Sequence, residues 1–111
     1  MSLILKLYLG SDKNPVFEMI QDSRVVGGGS LPQKVKDIDE NADPVTYGVI
    51  CVLMMIHNRG IAEKLRYEDK IEKLKIITPT KLVPSDDLKT TIDRFPLEII
   101  QEVNPNIGNE K

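Results

Sequence analysis

One cysteine, one histidine and no tryptophan occur in the 111 residues, and aromatic residues make up only 5% of them. The lone thiol, Cys51, excludes an intrachain disulfide and fits a reducing, cytoplasmic setting. One histidine and one cysteine also fall short of an ordinary structural zinc site. Neither sign of charge dominates. With 15 Lys+Arg against 17 Asp+Glu, a net −2, bulk electrostatics direct the chain to neither nucleic acid nor membrane. The apolar run at 49–56 is eight residues long, against the roughly 20 that a membrane-spanning helix needs. The opening stretch MSLILKLYLG is broken by Lys6 and has no small-residue cleavage site, so it does not read as a secretory leader.

What is present describes a globular domain: 41% hydrophobic and 29% charged residues, in a chain long enough to bury a core without covalent staples. Leu3, Leu5, Leu7 and Leu9 alternate with Ile4, Lys6 and Tyr8, which is a strand pattern. After it, Asn14 and Pro15 offer helix start signals, and Val16, Phe17, Met19 and Ile20 keep helical spacing for two turns. A short strand over 16–20 is the competing reading. Arg24 to Val26 suits a brief strand, and Gly27-Gly28-Gly29-Ser30 opens a flexible, Gly-rich and then acidic connector over 27–43.

The segment DPVTYGVICVLMMIHNRG carries its own punctuation. Asp43 is an N-cap, Pro44 occupies a position where its missing N–H costs nothing, and Gly60 suits the residue just past the end. Winding 44–58 at about 100° per residue spreads apolar side chains around the whole circumference. Such a helix needs protein on all sides, whether from its own domain or from a second chain. Residues 61–77 carry two apolar stripes instead of one: Ile61, Leu65 and Ile76 against Tyr67, Ile71 and Leu74. A helix through Leu65 followed by a break near 67–70 accommodates this. Ser85, with Asp86 and Asp87 in the first turn and Leu88, Ile92 and Phe95 on one face, marks a further amphipathic helix ended by Pro96. PLEIIQEV fits a helix or a strand, and 104–111 reads as a frayed tail.

Patterns that hint at chemistry have simpler explanations. Asp37, Asp39, Asn41 and Asp43 fall at alternate positions, as calcium-loop ligands do. Ala42 then stands where the loop needs glycine, and Gly48 where it needs the bidentate glutamate, so a solvated acidic connector is preferred. The glycine run lacks the Lys-Ser/Thr pair of a phosphate-cradling loop. On one helix, Cys51 and His57 diverge by about 120° and cannot form a nucleophile–base pair.

The sequence therefore predicts a small single α+β domain over residues 1–103: a short N-terminal β element plus three or four helices packed on the central apolar helix at 44–58. Its expected role is a noncatalytic interaction or regulatory module with no cofactor or metal, self-associating or binding another protein through apolar helical surface. Met54, Met55, Tyr67, Ile71 and Leu74 are the candidate contact residues, because methionines and exposed apolar stripes adapt to partner surfaces. An alternative is a nucleic-acid-binding accessory protein using a basic face over 59–75, with Arg59, Lys64, Arg66, Lys70 and Lys73. Residues 59–81 hold seven basic and four acidic side chains, but only Tyr67 for stacking. A small enzyme with an unrecognised polar site is a further alternative, with no constellation to name.

Overall fold

The computed structural model describes residues 2–10, 14–30 and 43–107. Eight elements follow one another: β1 (Ser2–Leu9), β2 (Pro15–Gln21), β3 (Arg24–Ser30), α1 (Pro44–Asn58), α2 (Ile61–Tyr67), β4 (Lys73–Thr78), α3 (Asp86–Arg94) and β5 (Glu98–Val103). The strands form one five-stranded mixed sheet in the order β3-β2-β1-β4-β5. β1, β2 and β3 are an antiparallel meander, while β4 lies parallel to β1 and β5 parallel to β4. Stepping from β1 to β4 to β5 moves in one direction across the sheet. Right-handed crossovers then place their helices on the same face, and α1 indeed packs against β1, β2 and α3.

This overturns the expectation of a short β element with three or four helices gathered on a central helix. The sheet is the organising layer, and α1 is laid upon it. Two local readings change with it, and one left open is decided. Residues 15–21 form β2 and not a helix, because Pro15, Phe17 and Met19 pair in register with Leu9, Leu7 and Leu5. Their apolar spacing fits both periods, and a neighbouring strand decides between them. Pro15 is tolerated as the first residue of that strand. The glycine run is the second half of β3, bonded to β2 from Val16↔Ser30 to Gln21↔Arg24 across an irregularity at Met19/Ile20. A Cβ at Gly28 would lie 2.7 Å from the Phe17 carbonyl oxygen, so the two backbones approach too closely for any side chain there. Finally, 98–103 is strand β5.

Period-two alternation sorts the sheet into two faces. Leu3, Leu5 and Leu7 have no exposed surface; they stand beside Phe17 and Met19 on one side and Leu74 and Ile76 on the other. Val45, Val49, Val52, Leu53 and Ile56 of α1 close over them, joined by Leu65, Leu88 and Phe95. On the reverse face Tyr8 donates to Glu18 Oε1 at 3.1 Å, and Lys73 and Lys75 pair with Glu98 and Glu102 at 4.0 and 3.2 Å. Ile77 is the buried member of that face.

The punctuation of α1 is as its sequence reads. Asp43 Oδ2 accepts from the Thr46 N–H at 2.9 Å, Pro44 begins the helix, and Gly60 follows at φ 71. Ser85 caps α3 in the same way through the Leu88 N–H. The break expected near 67–70 is built by Lys70. It sits in the left-handed region at φ 58, so that the Ile71 N–H reaches back to the Leu65 carbonyl at 2.8 Å. A Cβ is strained there, and Lys70→Gly is expected to raise the unfolding free energy by about 0.5–1 kcal/mol. Urea denaturation checks this as a higher midpoint at unchanged slope.

Among the described residues no single helix is long and apolar enough to cross a membrane; α1 and α2 together have the composition but meet at a 71° bend. Residues 104–107 continue from β5 in a turn, tied to β4 by the Asn104 N–H on the Thr78 carbonyl, with Ile107 buried. Of the calcium-like pattern, Asp37, Asp39 and Asn41 lie outside the described residues.

Candidate functional site

The five candidate contact residues are not brought together. Ile71 and Leu74 have no exposed surface and serve the core. Met55 is half-buried against that core. Met54 is 49% exposed, at the edge of a cleft that also holds His57, Asn58 and Arg94. Tyr67 is 64% exposed, with the Arg66 guanidinium 5.3 Å from its ring centroid. It belongs to a different cleft, shared with Lys70, Pro96 and Leu97, whose floor includes the buried Ile71. Most of the apolar circumference of α1 is covered within the chain: β1 and β2 lie beneath it, and α2 and α3 lie alongside, while Met54 stays exposed.

Arg59, Lys64, Arg66, Lys70 and Lys73 are all exposed. They are spread from the α1–α2 corner to the start of β4, and Glu63, Glu68 and Glu72 are exposed among them. Lys73 also faces Glu98. The set is a solvated, mixed-charge surface.

Catalytic chemistry finds little to use. Among the described residues no group of His, Cys, Asp and Glu is arranged to hold a metal ion. Among them, too, no buried side-chain nitrogen or oxygen lacks a hydrogen-bond partner, so no orphaned polar group waits for a ligand. Burial pushes the Cys51 thiol above its ordinary range, and a hydrogen bond from Tyr47 offsets this only in part. A thiol kept protonated is a poor nucleophile. Burial likewise raises Tyr8, with Glu18 adding to the effect, and Tyr47, with Cys51 adding to it.

The conspicuous exposed features are the two edges of the sheet. Among the described residues, β3 has only β2 as a neighbour and β5 only β4. On β3, Val25 is 66% and Val26 56% exposed. The strand contains a single charged residue, Arg24, and no proline, so apart from the irregularity opposite Met19/Ile20 it lacks the usual protections of an edge. Sequence reasoning missed it because glycines are poor strand formers. A signal was nevertheless present. Asp22 and Ser23 form a two-residue hairpin turn with φ 52 and 65, the conformation that Asp tolerates in type I′ turns.

No family model matches the chain, and no curated protein sequence does. Among solved structures, similar chains include the Aquifex aeolicus PPX-GPPA enzyme, at 13% identity and TM-score 0.36 over 92% of this chain and 36% of that one. A second structure, described as the Aquifex aeolicus member of the Ppx/GppA protein family, gives 16% identity and TM-score 0.33 over 92% and 35%. The chain thus spans about a third of the length of these structures. Similarity at this level settles neither fold nor function.

Proposed function

We propose that this chain is a noncatalytic protein-interaction module that self-associates, with the β3 edge as its contact. The single observation that carries the reading is a strand that is an edge among the described residues, with one charged residue and two adjacent, exposed valines. An edge offers a row of unpaired backbone groups to another strand. Antiparallel pairing of two copies about Gly27 sets Arg24 opposite Ser30, Val25 opposite Gly29 and Val26 opposite Gly28. No like charges meet, and each valine finds room over a glycine. Such a contact is isologous, as in most dimers. A cytoplasmic location is part of the proposal and rests on the single cysteine. The basic set over 59–75 gains no specific support, given its interleaved glutamates.

Sedimentation at tens of micromolar tests the reading. The expected result is a concentration-dependent dimer, weakened at least tenfold by the double substitution Val25→Lys/Val26→Lys while thermal unfolding of the monomer is unchanged. A strict monomer, or a dimer indifferent to those lysines, contradicts it.

A further inference from the structure

The opposite edge differs from β3 in chemistry. We propose that β5 takes up one extended strand of a partner protein whose side chains alternate basic and apolar. The inference rests on the chain being an interaction module, but not on its self-association.

The first observation is a groove beside the edge. α3 leans on α1, so the helix-side face of β5 is incompletely covered: Ile99 is half-buried, Gln101 exposed and Val103 48% exposed. Leu82, Leu88 and Ile92 form the apolar part of the wall between α3 and β5, which Gln101 and exposed charged residues of α3 such as Lys89 and Asp93 also line. A strand added to β5 would direct every second side chain toward this groove. Apolar side chains suit its walls.

Charge on the reverse face supplies the second observation. Glu98 and Glu102 project there, bonded inward to Lys73 and Lys75, yet their side chains remain 65% and 46% exposed. A carboxylate has acceptor capacity for more than one cation. β4 already shows which chemistry fits against this strand: Lys73, Leu74, Lys75 and Ile76 alternate lysine toward the glutamates with apolar residues toward the helices. The outer neighbour of β5 would repeat that pattern. A second copy of β5 fits less well: antiparallel pairing centred on Ile100 brings Glu98 opposite Glu102 twice, and like charges directly opposite are destabilising, while pairing centred on Gln101 sets Glu102 opposite Ile100 and offers the glutamates no cation.

The test titrates the full chain with an acetylated, amidated seven-residue peptide alternating lysine and valine, read by amide chemical shifts. The expected result is saturable binding below about 1 mM, with shifts confined to β5 and the α3 groove. Replacing the peptide's lysines by glutamates should weaken it at least tenfold. Glu98→Gln/Glu102→Gln, which keeps the side-chain shape, should erase the preference for lysine, and Glu98→Lys/Glu102→Lys should reverse it. No saturation, shifts on β3, or equal affinity for both peptides overturns the proposal. So do β5 shifts on dilution of the chain alone, since a second copy would then fill this edge. Self-association is read separately by sedimentation without peptide, so either proposal can fail without the other.

Discussion

Gly48→Val is expected to lower the unfolding free energy by about 3 kcal/mol. Gly48 lies in the first half of α1, where a helix ordinarily prefers any other non-proline residue. A Cβ there would stand 3.1 Å from both δ-methyls of Leu7 and 3.2 Å from Pro15 Cβ. Carbon atoms in packed interiors rest at about 3.5–4.0 Å. Leu7 has no exposed surface and Pro15 is a buried ring, so neither can step aside. The helix would have to lift off β1 and β2, loosening the contacts of Val45, Val49 and Val52. Alanine at the same position regains about 1 kcal/mol of helix propensity, which offsets part of the clash; valine adds two methyl groups and forfeits that gain. Urea denaturation measures the difference, and a change below about 1 kcal/mol would show that α1 does not sit so close to the sheet.

Leu74→Ala is the second large effect, a loss of about 3 kcal/mol with the association constant of the folded protein unchanged. Leu74 pairs in register with Leu3 and Ile99 and is fully buried, so truncation leaves a cavity in the middle of the sheet. Denaturation and sedimentation on the same sample separate the two roles. Were stability kept and self-association lost, Leu74 would be a contact residue and the core assignment wrong.

Capping chemistry made the helices readable. Asp43-Pro44 and Ser85-Asp86-Asp87 act within a few residues of themselves, and α1 and α3 begin where those signals stand. The leucine alternation of β1 is equally local. Pairing between distant segments is not. Val16, Phe17, Met19 and Ile20 satisfy a helix as well as a strand, and pairing with β1 decides for β2. β3 is held chiefly by backbone bonds to β2, which leave no pattern in its glycines. Each of the two apolar stripes of 61–77 mixes residues of two elements, α2 and β4. Leu65 points into the core from α2, while Leu74 and Ile76 do so from β4, with the left-handed Lys70 between them.

The all-round apolar character of α1 was legible too, but its meaning was not. It left open whether the chain's own domain or a second chain supplies the cover; a five-stranded sheet and two further helices supply most of it from within, with Met54 still exposed. Of the residues singled out for association, Met54 and Tyr67 are well exposed, and they stand in separate clefts. Among the described residues, the fold also leaves two backbone edges open, which side-chain spacing announces only weakly.

Amide hydrogen exchange followed as a function of protein concentration tests the proposed β3 contact most directly. Protection at residues 24–30 should rise with concentration, while Met54, Tyr67 and β5 stay as they are in dilute solution. Constant exchange along β3, or new protection appearing instead on α1 and α2, would contradict association through that strand.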